Sequence, residues 1–425
     1  MIVALLGTLY LINFLDKSVL GLSAVKIMSE LSLSPASFGL LNSVFFALFV
    51  PMQMIGGVLA DRWPTRHILL AMALIWSLSM LPLGLPGGLG TLVASRVLLG
   101  FGEGPTSPVA IHALYKWFPD EKRALPNAVY VMGGPLAMIL GAPVLVWIIA
   151  SGGWRAAFVA LGCMSLAWSA LWFMLGKEGP LVAPRESRGL PGAGRYLRLV
   201  FSRTFIGCLL LGFPSYFAMT LMFSWMPHFL EAVLHFSNAA TGATISAAWI
   251  IVGFGPIPVS MLSQALIARG VSTRMARGVM SAALLILAGL LLAMTPHLPI
   301  SGPVQARLLM GALALGVVCN PLLFTLLGQL SPIELRGGVV GCFGSGVVSA
   351  GLFAPTAMGY AIQAGADERA GYAIGFTSFG ALATVCGLAA LVLINPEADK
   401  RFAHLRTTSN TKTSEDGHGR WSRSR

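Results

Sequence analysis

The stretch IVALLGTLYLINFLDKSVLGL, residues 2–22, is apolar for most of its length, and its only charges are Asp16 and Lys17. A helix needs roughly 20 apolar residues to cross ~30 Å of hydrocarbon, and this run has that length. A cleaved signal peptide carries a basic leading region and a small-residue cleavage site, and neither is present here. The run therefore reads as a first membrane span. So little chain precedes it that the true start codon is expected to lie earlier.

Working outward with the same ruler gives twelve spans. The first six lie near residues 2–22, 38–60, 68–87, 90–114, 126–150 and 155–175. The second six lie near 204–227, 239–267, 277–297, 303–330, 338–363 and 371–394. Composition agrees: 56% of the 425 residues are hydrophobic and 10% are charged, against about 25% charged in soluble domains. A large soluble enzyme is excluded, because only a bilayer tolerates so few charges. The prediction is an all-α polytopic membrane protein of twelve transmembrane helices in two six-helix halves. Its parts are an N-terminal bundle (1–175), a linker rich in Gly, Pro and Arg (176–203), a C-terminal bundle (204–394) and a polar, disordered tail (395–425).

The net charge of +12 does not point to nucleic acid, since the basic residues sit in short loops between apolar runs. With both termini placed inside, 22 of the 28 Lys and Arg fall on the cytoplasmic side, four outside and two within spans. That asymmetry sets the orientation in a cell (inner) membrane and makes the linker and tail cytoplasmic. The five cysteines lie in apolar runs with no C-x-x-C pair, which excludes a disulfide framework. No phosphate loop, zinc spacing or nucleophile elbow is present, so neither an enzyme nor a metal or other cofactor is expected.

Burying a charge at the bilayer centre costs ~2.5–3.5 kcal/mol on insertion scales. Four ionisable residues nonetheless lie inside predicted spans: Asp16 and Lys17 on the first, Arg96 and Glu103 on the fourth. Arg96 and Glu103 are about two helical turns apart on one face, whereas the adjacent Asp16 and Lys17 point ~100° apart. The two helices run in opposite directions, so their charges overlap in depth and contacts between them are feasible. A carboxylate holds its proton more tightly when desolvated and less tightly beside a cation. A cation that changes partners can therefore load and unload a proton, which makes Asp16 and Glu103 candidates for proton coupling. Lys17 and Arg96 are candidates for an anionic substrate, with Arg suited to a bidentate carboxylate contact. A fixed ionic cluster pinning one helix to the other is the alternative. Around the acid, Gly100, Gly102, Gly104, Pro105 and Pro108 predict a bend and close helix approach.

Other polar residues inside spans are Asn13, Asn42, Gln53, Asn127, Asn320, Thr325, Gln329, Ser345 and Ser349. Most such groups only bond between helices; Asn320, beside Pro321, is the strongest substrate candidate among them. Trp225 and Trp249 read as interface or packing residues, and His112 and His228 as water-facing groups near span ends.

The run Gly56-Gly57-Val58-Leu59-Ala60-Asp61-Arg62-Trp63-Pro64-Thr65-Arg66 resembles the helix 2–3 loop of the major facilitator superfamily. The pattern from Arg96 to Pro108, then Trp117-Phe118-Pro119 and Arg123, is similar to that family's anion:cation symporter branch. So are Asp16-Lys17, Gly153-Trp154-Arg155 with Phe158, Pro332 to Gly337, and Pro355 with Gly359. The resemblance implies a proton-coupled symporter of a small organic anion, working by alternating access as a monomer. It associates Asp16 and Glu103 with protons, Lys17 with the substrate carboxylate, Arg96 with the charge network, and Asp61, Arg62 and Arg66 with a cytoplasmic gate.

The sequence departs from the branch in several places. Lys17 replaces an arginine, Phe14 and Phe49 stand where sugar-acid carriers have tyrosines, Pro64 stands near a usual glycine, and Gln264 replaces the second-half aspartate. The aromatic exchanges imply a less hydroxylated acid than an aldonate. The rivals are a proton-coupled exporter of the same fold, whose G-P-x-x-G-G run is matched only by Gly134-Pro135, and a non-transporting membrane sensor.

Overall fold

The computed structural model describes residues 1–119, 122–181 and 193–399. The remainder of the linker and tail, with the expectations placed on it, lies outside the described residues. Among those described there is no strand; the long helices fall into the twelve expected spans, and the short helices Ala24–Glu30 and Ala193–Val200 lie between spans. In the first half these are α1 (Ile2–Leu22), α2 (Pro35–Arg62), α3 (Thr65–Met80) and α4, in two pieces, Leu89–Glu103 and Thr106–Tyr115. α5 begins as Ala124–Leu136 and passes through a π turn (Ala137–Gly141) into the helix Ala142–Leu175, whose remainder is α6. The second half has α7 (Arg203–Ser224), α8 (Asn238–Phe254 and Pro256–Ala268) and α9 (Met280–Met294 after the π turn Arg274–Val279). It ends with α10 (Gly302–Val318 and Asn320–Leu330), α11 (Ile333–Val348 and Ala350–Ala364) and α12 (Glu368–Leu393).

Ten described helical segments are long and apolar enough to cross a membrane. One of them, Leu125–Leu175, contains both α5 and α6, which meet at Gly153, where the backbone leaves the helical region at φ 80°, ψ 171°. α4 escapes the length criterion because it breaks next to Glu103. Pro105 has no N–H and cannot continue the ladder, so the first piece stops at Glu103 and the second starts at Thr106.

Call the face at which α1 begins proximal and the opposite face distal. The glycines show where the two halves touch. A Cβ on Gly21 (distal end of α1) would meet the Phe223 carbonyl oxygen of α7 at 1.9 Å. One on Gly39 (α2) would meet the Pro355 carbonyl at 2.5 Å, and one on Gly359 (α11) the Pro35 carbonyl at 2.4 Å. At mid-depth Gly253 of α8 packs on Pro135 of α5, and Gly351 of α11 on Phe46 of α2. Towards the proximal face the pattern changes: Gly56, Gly207, Gly278 and Gly344 meet only their own half, and Gly57 and Gly341 meet nothing. The Trp225 indole donates to the Pro355 carbonyl (2.9 Å), Phe38 packs edge-on against it (5.3 Å), and Thr356 donates to Ser43 (2.7 Å). The halves are thus sealed distally and apart proximally.

Each half is tied at its proximal face by the same device. Glu178, just past α6, accepts from the backbone N–H groups of Thr65 (3.3 Å) and Arg66 (3.1 Å) at the start of α3, and from the Thr65 hydroxyl and Lys116. Arg66 returns a bond to the Phe173 carbonyl (2.9 Å). In the second half, Glu397, just past α12, accepts from the Arg274 N–H (3.3 Å), and Arg274 donates to the Leu391 carbonyl (3.1 Å). A carboxylate satisfies the orphan N–H groups of a helix start and favours its positive dipole end.

Candidate functional site

α1 is held against α4 by close backbone packing of its neighbours: Gly100 on α4 lies under the Phe45 carbonyl of α2, and Gly133 on α5 under the Gly7 carbonyl of α1. This packing places the four intramembrane charges together. Asp16 and Glu103 are fully buried, Arg96 is 2% exposed and Lys17 9%. The Lys17 ammonium lies 3.5 Å from Glu103 Oε2. Asn13, one turn before Lys17 on α1, bridges the two: its amide N–H donates to Glu103 Oε2 (2.7 Å) and its carbonyl accepts from Lys17. The sequence grouped Asn13 with ordinary interhelical polar residues. Its i, i+4 spacing to Lys17 was the available signal.

Among the described residues, Arg96 bonds to no carboxylate. Its guanidinium donates to the Asp16 backbone carbonyl (3.3 Å) and to Met80 Sδ (3.7 Å), packs 5.1 Å from the Phe158 ring centre, and leaves Nε unpaired. Asp16 and Glu103 lie against each other, and both Asp16 oxygens and Glu103 Oε1 lack a donor. Two carboxylates offer only acceptors, so the pair has room for a proton between them. The rings of Phe49 (4.7 Å), Phe14 (5.3 Å) and Phe45 (6.0 Å) surround the Lys17 ammonium. Phe14 and Phe49, the two positions where hydroxyls were expected to be missing, therefore both line the cation.

Lys17 and Arg96 line one narrow cavity of about 10 Å³ between the halves, room for about one water molecule. From the first half Leu20, Asn42, Phe45 and Phe46 line it; from the second, Thr220, Phe223, Ser224 and Pro355. Asn42, Thr220 and Ser224 each donate to a carbonyl one turn back on their own helix (3.0, 2.9 and 2.7 Å). The strong donors turned towards the cavity are the two cations.

Asn320 does not line this cavity. It starts the second piece of α10, half-buried, with Oδ1 unpaired. Of the gate residues, Arg62 is exposed and Arg66 is in the α3–α6 tie; Asp61 sits in the last turn of α2, and its side chain lies outside the described residues. Gln264 is exposed. Two expectations are corrected. His228 is not water-facing: it is 4% exposed and its Nδ1 bonds the Tyr372 hydroxyl (2.9 Å), because α12 packs its Tyr372 and Phe376 over the end of α7. Arg277, counted among loop charges, is buried by the π turn that opens α9 and donates to Gln329.

A family model described as Major Facilitator Superfamily matches residues 6–355. The chain belongs to the major facilitator superfamily. As a superfamily member it is a multi-pass membrane transporter and not an enzyme. It is 29% identical over 417 residues to a probable sulfoacetate transporter of Cupriavidus necator, covering 93% of this chain and 94% of that one. It is 23% identical to a D-galactonate transporter of Escherichia coli, covering 90% and 92%. Among solved folds it resembles a bacterial homolog of the human lysosomal transporter Spinster, with TM-score 0.75, 18% identity and coverage of 94% and 97%. It also resembles a D-xylose-proton symporter, with TM-score 0.71, 18% identity and coverage of 93% and 97%.

Proposed function

We propose that this superfamily member is a proton-coupled symporter of a small organic anion, working by alternating access. One observation carries the reading: the Lys17–Glu103 pair adjoins an unsatisfied second carboxyl, Asp16, and Lys17 at the same time faces a cavity between the halves. Lys17 thus has two possible partners, the internal acid and an incoming anion. When a proton joins the Asp16–Glu103 pair, the pull of Glu103 on Lys17 weakens and the ammonium can take a carboxylate or sulfonate. When the proton leaves, Glu103 reclaims Lys17 and the anion is released. In a low-dielectric site these exchanges are large enough to matter, whereas in water they are nearly silent. Arg96, anchored on a carbonyl and a phenylalanine, supplies a standing positive field.

The face sealed here is the distal one, so the proximal opening is the exit in an importing cycle, with the termini and the proximal face cytoplasmic and the protein monomeric in a cell membrane. The apolar walls, the phenylalanines around Lys17 and the likeness to a sulfoacetate carrier favour a short acid with few hydroxyls over a sugar acid. The test is uptake into liposomes containing the purified protein, with an inward proton gradient. Glu103→Gln is expected to lose proton-driven accumulation at least about tenfold while retaining counterflow exchange. Unchanged accumulation in that variant, or a clear preference for sugar acids, contradicts the corresponding part of the reading.

A further inference from the structure

The short helix Ala193–Val200 leads from the linker into α7 and has two unlike sides. Tyr196, Leu199 and Val200 pack on the core, and their i, i+3, i+4 spacing puts them on one face. The Tyr196 hydroxyl donates to the Gly338 carbonyl at the start of α11 (3.0 Å), and a Cβ on Gly338 would meet the Tyr196 ring at 2.9 Å. The other side holds Leu197, 50% exposed, and Phe201, 71% exposed. The Phe201 N–H donates to the Leu197 carbonyl (2.9 Å), so the two stand one helical turn apart on one edge. Arg198 lies beside them, with Arg203 at the start of α7 and Arg336, two residues before Gly338, and all three are exposed. The neighbouring acid Asp399 is engaged in accepting from the Thr204 N–H (3.0 Å).

α7 enters the membrane at Arg203, two residues after Phe201, so the short helix lies at the depth where headgroups meet acyl chains. A helix with large apolar side chains on one edge and arginine at the polar border lies in that boundary. Leu197 and Phe201 need only acyl chains, but acyl chains cannot satisfy the three guanidinium groups beside them. We propose that this helix, with Arg203 and Arg336, is a docking surface for anionic phospholipid of the leaflet at the proximal face. The arginines take the phosphate, which suits their planar fork, and Leu197 and Phe201 take the first part of a chain. Because the opposite side of the same helix is tied to Gly338, a bound lipid steadies the proximal end of α11. The distal part of α11, at Pro355 and Gly359, belongs to the seal between the halves.

Thermal unfolding of the purified full-length protein in detergent, titrated with phosphatidylglycerol or with phosphatidylcholine, tests this. One basic residue near an anionic surface is worth about fivefold in binding. Phosphatidylglycerol is therefore expected to reach half its stabilising effect at a concentration at least about tenfold below that of phosphatidylcholine, and Arg198→Gln to shrink that gap about fivefold. The exposed pair Leu197→Ser with Phe201→Ser should weaken phosphatidylglycerol by at least about fivefold. Arg269→Gln, which removes an exposed arginine from the α8–α9 turn, should leave the gap unaltered, and glycerol phosphate, a headgroup without chains, should not stabilise. No preference between the lipids, or no effect of the Leu197 and Phe201 changes, overturns the proposal. So do equal losses from Arg198→Gln and Arg269→Gln, which would mean a diffuse positive face, and stabilisation by glycerol phosphate equal to that by the lipid, which would mean a site for free phosphate.

Discussion

Glu103 is fully buried and Lys17 nearly so, so each depends largely on the other. Removing one partner of a buried pair leaves an uncompensated charge, worth about 3–5 kcal/mol, whereas removing both can be nearly neutral. Thermal unfolding in detergent should therefore show Lys17→Gln well below wild type and the double variant Lys17→Gln, Glu103→Gln back near it. A double variant as unstable as the single one would mean that the pair is not what holds α1 to α4. Outside the membrane, Glu30 accepts from the Trp154 indole (2.6 Å) and from Arg155 (2.6 Å), and these bonds hold its carboxyl below the usual glutamate range. A depressed folded-state value stabilises above the unfolded pKa, about 4.3, and that gain is lost as pH falls through the lower folded value. The difference in unfolding temperature between wild type and Glu30→Gln should accordingly be steady above pH ~5 and shrink below pH ~4; a difference that grows on acidification would reverse the sign and refute the assignment.

The ties at the starts of α3 and α9 differ in strength although they share a plan. Glu178 takes two backbone N–H groups, a hydroxyl and an ammonium, whereas Glu397 takes one backbone N–H. Losing a cap costs ~1 kcal/mol, so Glu178→Ala should lower stability more than Glu397→Ala and raise amide exchange at residues 65–68; equal effects would deny the difference. Neither glutamate stood out in the sequence, because a cap supplied by a residue more than 100 positions away leaves no local pattern. What was legible followed from cost: Asp16, Lys17, Arg96 and Glu103 are conspicuous because charges in apolar runs are rare, and the α4 break because proline lacks an N–H. Asn13 as the bridge, Phe158 beneath Arg96, and buried His228 and Arg277 are products of helix packing. A one-dimensional pattern cannot rank them above other polar or aromatic residues. Gln264, in place of the second-half aspartate, is exposed, and the proximal tie of that half runs instead through Arg274 to Glu397 and the Leu391 carbonyl.

Across the whole molecule, contact between the halves is concentrated at the distal and middle depths, where Gly21, Gly39 and Gly359 let backbone meet backbone. A methyl group at Gly21 would lie 1.9 Å from a carbonyl oxygen, so Gly21→Ala should push the equilibrium towards a distally open state without disturbing either half. Spin labels on the 31–34 and 365–367 turns should report a longer distal separation in that variant; an unchanged distance would mean that the seam is not the gate. The central claim is that buried acids and an incoming anion compete for Lys17, so that anion and proton move together. The most direct test is lumenal pH in liposomes with no initial pH gradient, after a short organic acid is added outside. The account predicts acidification of the lumen that needs the protein and disappears with Asp16→Asn or Glu103→Gln. Entry of the labelled acid through the wild-type protein with no change in lumenal pH would contradict it.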